Sequence, residues 1–206
     1  MANSYSVVKF DSTHTFGESD GRYEDVTATN YITDLEDVIG WAEKQEWFQA
    51  PFVLVGHSLG GLSSACYAEK YPQRVKALAP ISTVVSGSLY LTSYSDEERG
   101  AWQETGFYQK PSKSRPGLMK RVKWQFAEDV LKYDLLPDSR QLNMPVLMVV
   151  GSQDKTTFPE HQQILFDRIP SPKKELYIIK ESPHTFSEPE HLAELRSIFH
   201  DWIKRI

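Results

Sequence analysis

Residues 54 to 61 read Leu54-Val55-Gly56-His57-Ser58-Leu59-Gly60-Gly61, directly after the apolar residues Pro51-Phe52-Val53. Phe52 to Val55 is a short, fully apolar run of the kind that a parallel strand covered on both faces requires. Leu59 to Glu69 then reads as a helix. Gly56-His57-Ser58-Leu59-Gly60 fits G-x-S-x-G, the sharp strand-to-helix turn that presents a serine in a strained backbone position. Matched anywhere in a chain, that pattern is weak; here the strand before it and the helix after it are the context it needs. The same turn aims the free N–H groups of a helix N-terminus, Leu59 first, at an oxyanion.

Working outward, Tyr5 to Phe10 (Tyr-Ser-Val-Val-Lys-Phe) is β-branched and aromatic and is predicted as the first strand. Thr27 to about Gln45 carries Tyr31, Leu35, Val38, Ile39 and Ala42 at helical spacing. Val75 to Ile81, Pro145 to Val150 and Glu175 to Ile179 are further strands, separated by helical patterns that end with Leu192, Leu195, Phe199 and Trp202 on one face. Strands alternating with helices imply an α/β fold, a mostly parallel sheet with helices on both faces. Residues 86 to 140 break the rhythm for too long to be a plain loop, and they read as a small helical cap inserted into a single domain spanning 1 to 206. Aromatic residues there either form the cap's own core or line an acyl or aryl pocket.

A serine hydroxyl is a poor nucleophile without a base, and the base needs a group to orient it. Asp154 follows the strand Val146 to Val150 through Gly151-Ser152-Gln153, and His184 follows Leu176 to Ile179 through Lys180-Glu181-Ser182-Pro183. Both sit where α/β sites form, at the carboxyl ends of strands. Alone, Asp154 reads as a turn or N-cap aspartate; with Ser58 and His184 it completes the chain order Ser, Asp, His of a nucleophile-elbow site. His14, in Thr13-His14-Thr15-Phe16, shares His-Thr-Phe with His184 and is a second candidate base, although chain order makes it a turn or pocket-wall residue. His57 and Leu59, with His14, are the candidates for oxyanion or substrate contacts.

The remaining features exclude more than they assert. Hydrophobic residues at 40% and charged residues at 25% describe an ordinary folded chain. A formal charge of -5 gives nucleic acid no general attraction. Neither a membrane span nor a signal peptide is predicted, and the expectation is a cytoplasmic protein. No metal-ligand spacing and no nucleotide-binding glycine motif occurs, so no metal or cofactor is expected. The lone Cys66 reads as a buried structural thiol. His161, His191 and His200 read as solvated faces, as does the cluster Lys110, Lys113, Arg115, Lys120, Arg121 and Lys123, with attraction of an anionic substrate or partner as the alternative.

On these motifs, together with Gly17 to Gly21, Tyr23 to Thr27 and Asp34 to Val38, the chain resembles the α/β-hydrolases along its whole length. It is similar to bacterial feruloyl and cinnamoyl esterases and to monoglyceride-lipase-like and serine-aminopeptidase-like enzymes. The resemblance implies that Ser58, Asp154 and His184 are the catalytic residues. The family's Gly-x-Gly-x-Ser appears as Thr15-Phe16-Gly17-Glu18-Ser19, with threonine for the first glycine. Relative to the family, the chain is shortened at its N-terminus: three strands that precede the one at Tyr5 to Phe10 are missing, with the His-Gly loop that supplies one oxyanion N–H. The expectation is therefore a serine hydrolase of small carboxylic esters, with a binding module or an acyltransferase or perhydrolase as alternatives. Unpaired sheet edges point to a homodimer. If Tyr5 to Phe10 pairs with Phe52 to Val55, a donor from Ser12 to Thr15 would replace the missing one.

Overall fold

A computed structural model describes residues 5–111 and 117–206. Its main sheet has four parallel strands in the order β1-β2-β5-β6. These are β1 (Phe52–His57), β2 (Val75–Ile81), β5 (Val146–Gly151) and β6 (Lys174–Ile179). Between them run α2 (Leu59–Lys70) after β1, α6 (Pro159–Arg168) after β5 and α7 (Pro189–Ile203) after β6, while α1 (Ala28–Ala42) precedes β1. Three of these helices begin at recognisable start signals. Thr27 caps α1 by accepting the Asn30 N–H, and Pro159 and Pro189 occupy first-turn positions where no N–H is needed.

The side-chain alternation of the strands divides the interior into two cores. Leu54, Leu78, Val146 and Met148 face α1 and α2, with Leu35, Ile39, Leu62 and Ala65. Ala77, Ala79, Leu147 and Val149 face the opposite way, onto Trp202 of α7 and Phe186. A period of two along each strand puts successive residues on opposite faces, so a strand that is apolar throughout serves both cores.

Tyr5 to Phe10 is not a strand: it runs as exposed coil, with Val7 78% accessible. A strand needs a neighbour to satisfy its N–H and C=O groups, and among the described residues β1, at one end of the strand order, pairs only with β2. Val55, on the α7 side of β1, is left 49% accessible. The strand expected at residues 5–10 is absent, and with it the possible pairing with β1.

Residues 86 to 140 are only partly helical. They hold α3 (Gly87–Leu91), α4 (Asp96–Thr105) and α5 (Gln125–Val130), but also an antiparallel hairpin of β3 (Phe107–Pro111) and β4 (Met119–Lys123). Trp102, 1% accessible, is the centre of this region: its ring meets Tyr94, Tyr108, Trp124 and Phe126, and its Nε1–H donates to the Val122 carbonyl at 3.1 Å. These aromatics therefore pack on one another as a core. The basic residues of β4 remain partly solvated, Arg121 being exposed, but they also face acidic and aromatic partners. Lys123 pairs with Asp25, Arg121 lies 3.8 Å from Glu24, and Lys120 stands over the rings of Phe16 and Tyr23. Together they bolt the hairpin to residues 16–25. Lys113 and Arg115 lie outside the described residues.

Candidate active site

The order of the strands brings Ser58, Asp154 and His184 to one edge of the molecule, because each lies just past the carboxyl end of β1, β5 or β6. Ser58 sits between β1 and α2 at φ 59°, ψ −117°, a left-handed conformation that a non-glycine residue adopts only under constraint, at a cost of about 1–3 kcal/mol. The constraint is visible. The Ser58 N–H donates to the Ile81 carbonyl at 3.0 Å, and the Ser58 carbonyl accepts from Leu62 N at 3.1 Å and Val84 N at 3.3 Å. A Cβ on Gly56 would lie 2.0 Å from the Gly60 carbonyl oxygen, and one on Gly61 would lie 2.7 Å from Thr83 Oγ1. Close approach thus requires glycine at 56 and 61, whereas a Cβ on Gly60 would meet nothing within 4 Å.

His184 Nε2 lies 3.0 Å from Ser58 Oγ, and His184 Nδ1 lies 2.8 Å from Asp154 Oδ2. Asp154 is 2% accessible. Its Oδ1 accepts the N–H groups of Thr156 and Thr157 at 2.8 and 2.9 Å, and its Oδ2 accepts the Thr157 hydroxyl at 2.8 Å. Burial pushes the Asp154 carboxyl up, but the hydrogen bond and charge of His184 and the two backbone N–H groups outweigh it and hold the group below its ordinary value. The aspartate is therefore ionised at neutral pH, with Nδ1–H of the imidazole donated to it and Nε2 facing the serine.

The loops that carry Asp154 and His184 are packed against each other. Gln153 N–H donates to the Ser182 carbonyl at 3.0 Å and Glu181 N–H to Ser152 Oγ at 2.8 Å. A Cβ on Gly151 would lie 2.1 Å from the Ser182 carbonyl oxygen, so that glycine sets their spacing. His57 Nε2–H donates to the His184 carbonyl at 2.8 Å, and the two rings lie 4.7 Å apart.

The imidazole at Ser58 Oγ is that of His184 and not of His14, which is a turn residue at φ 63°, its Nδ1 accepting the Arg22 N–H at 3.1 Å. The donors of residues 13 to 15 are also committed. Thr13 N–H and hydroxyl donate to Asp34, His14 N–H to the Asp20 carbonyl, and Thr15 N–H and hydroxyl to the Ser12 carbonyl. Leu59 opens α2, where the first-turn N–H groups have no intrahelical acceptor. His161 and His191 are half-buried rather than solvated, and burial pulls His161 below its ordinary value. His200 is exposed. Cys66 is largely enclosed, and burial pushes its thiol up to about 12, which leaves it unreactive.

Residues 15–112, which include the elbow but neither Asp154 nor His184, match the alpha/beta hydrolase fold family model. The chain has the α/β-hydrolase fold. It is 26% identical over 233 residues to an uncharacterized 31.7 kDa protein of the traX-finO intergenic region of Escherichia coli, covering 98% of this chain and 81% of that protein. It is 25% identical over 206 residues to the mitochondrial palmitoyl-protein thioesterase ABHD10 of Bos taurus, covering 98% of this chain but 64% of that enzyme. Among solved structures, Est1E from Butyrivibrio proteoclasticus with ferulic acid bound superposes at a TM-score of 0.69 with 20% identity, covering 91% of this chain and 74% of that one. The fold and these relatives support a hydrolase. No helix among the described residues is long and apolar enough to cross a membrane.

Proposed function

We propose that the chain is a serine hydrolase of carboxylic esters, with short-chain or aromatic acyl groups as the expected substrates. The observation that carries this reading is the continuous relay Ser58 Oγ to His184 Nε2 at 3.0 Å and His184 Nδ1 to Asp154 Oδ2 at 2.8 Å. Ser58 Oγ attacks the ester carbonyl carbon while its proton passes to His184 Nε2. Asp154 holds the imidazole in the tautomer that can accept that proton and stabilises the imidazolium. The oxyanion faces the first-turn N–H groups of α2, beginning with Leu59. His184 then gives the proton to the departing alkoxide, leaving an acyl group on Ser58. A water molecule, deprotonated by His184, releases the acid.

Thioesters are a second substrate class, favoured by the bovine relative's thioesterase activity and open to the same mechanism with a thiolate leaving group. The test compares wild type and Ser58→Ala on chromogenic acyl esters and acyl thioesters, with fluorophosphonate labelling of the serine. Turnover should fall by about 10⁴-fold or more in the alanine variant, and labelling should vanish. Undiminished turnover by Ser58→Ala would refute the mechanism. No serine-dependent turnover and no labelling of wild type would leave the cleft as a binding site.

A further inference from the structure

Ile81, the last residue of β2, and the three that follow it, Ser82-Thr83-Val84, are 8%, 0%, 0% and 1% accessible, and they hold both Ser58 and the segment just after Asp154. Ile81 O and Val84 N hold the two main-chain groups of Ser58. The Thr83 carbonyl accepts Gln162 Nε2 from α6 at 2.8 Å. Ser82, at φ 42°, is turned so that its carbonyl lies 3.0 Å from Thr157 Oγ1. Thr157 is itself 1% accessible, and the same hydroxyl lies 2.8 Å from Asp154 Oδ2 and 3.3 Å from His184 Nδ1.

We infer that Thr157 is a positioning residue for the hydrolytic site, its hydroxyl linking the Asp154 carboxylate to the clasp at 81–84 that also holds Ser58. The inference rests on the serine-hydrolase reading above. The one hydroxyl proton lies between two acceptors in a three-centre hydrogen bond, the ionised Asp154 carboxylate taking the larger share and the Ser82 carbonyl the smaller. That bond, with the two N–H groups on Oδ1, leaves Oδ2 one remaining direction, toward His184 Nδ1–H. The Ser82 carbonyl fixes where the hydroxyl oxygen can sit. Through this chain the separation between nucleophile and acid is set by β2, the strand that lies between those bearing them, rather than by the two loops alone.

Thr157→Val removes the hydroxyl at nearly constant volume and leaves both backbone donors to Oδ1. Expected are a fall in kcat of about tenfold with KM unchanged, and recovery in Thr157→Ser, which keeps the hydroxyl. A readout independent of turnover is the downfield proton resonance of the His184–Asp154 hydrogen bond. It should be displaced or broadened in Thr157→Val and restored in Thr157→Ser. Thr157→Ala serves as a second deletion, and thermal melts report the folded fraction of each variant. An unmoved resonance with unchanged kcat in a folded Val or Ala variant overturns the inference, as does loss of kcat that tracks only the folded fraction. Ser58→Ala separates the two failures: if it abolishes turnover while Thr157→Val changes nothing, the hydrolase reading stands and only the role of Thr157 falls.

Discussion

His57 Nε2–H donates to the main-chain carbonyl of His184 at 2.8 Å, so the residue just before the elbow serine holds the loop whose imidazole faces that serine. The sequence placed His57 among oxyanion or substrate contacts; in the fold its ring lies against that of His184 and edge-on to Phe186, which is 2% accessible. His57→Ala should lower kcat by about fivefold, the worth of one hydrogen bond of about 1 kcal/mol, with little change in KM. Steady-state kinetics of the folded variant checks this, and an unaltered kcat would contradict it.

The glycines of the elbow divide into one that the packing demands and one that it does not. Gly56→Ala drives a Cβ to 2.0 Å from the Gly60 carbonyl oxygen, backbone that cannot swing aside, and should cost about 3 kcal/mol or more or prevent folding. Gly60→Ala meets nothing within 4 Å inside a helix and should raise stability by about 0.5–1 kcal/mol. Denaturant melts of the two variants should move in opposite directions.

Glu69, near the end of α2, should make stability fall with rising pH. Burial first, then the carboxylates of Asp138 and Asp134, push its carboxyl up from 4.5 to about 8, and its Oε1 is buried with no hydrogen-bond partner among the described residues. The folded pKa lies above the unfolded one, so the fold favours the protonated form. The resulting penalty is absent below the unfolded value, grows as pH rises and is complete above about pH 8. Because Glu69 is half-buried and partly screened, Glu69→Gln should gain about 1–3 kcal/mol at pH 8 and nothing near pH 4. A gain independent of pH would contradict this origin.

Asp129 carries the opposite sign. It joins α5 to the start of α1, accepting the Thr29 N–H at 2.8 Å, the Thr29 hydroxyl at 2.6 Å and Lys132 Nζ at 2.9 Å. Burial pushes its carboxyl up, but these hydrogen bonds prevail and hold it below its ordinary value. Its contribution is present above the unfolded pKa of about 3.9 and is lost as pH falls through the lower folded value. Asp129→Ala should cost about 1–3 kcal/mol at pH 7, with the gap to wild type narrowing below about pH 4.

The readings that succeeded rest on residues close together in the chain. Gly56 to Gly61 between an apolar run and a helix is a local signal, as are the strand patterns at Val75 to Ile81, Pro145 to Val150 and Glu175 to Ile179, and the bound of α1 near Ala28 follows from the Thr27 cap and helical periodicity. Tyr5 to Phe10 misled because β-branched and aromatic composition expresses a preference for a pleated, half-buried surface, while strand formation depends on a hydrogen-bonding partner. The hairpin β3–β4 was hidden for a related reason: its Lys120, Arg121 and Lys123 resemble a solvated run until Glu24, Asp25 and the rings of Phe16 and Tyr23 are brought against them.

Thr157 marks the boundary between the two levels. Its position three residues after Asp154 is the spacing of a local aspartate turn, and that signal was legible. That its hydroxyl also reaches Ser82, 75 residues away, was not. By itself the sequence determined the order of the four strands of the main sheet and the helices beside them, and the strand-to-helix elbow, because each depends on neighbours in the chain. Tertiary structure alone decided which strands are paired, which charges are neutralised and how the site's parts are held at hydrogen-bonding distance. Those outcomes depend on contacts between residues tens to more than a hundred positions apart, which one-dimensional periodicity does not encode.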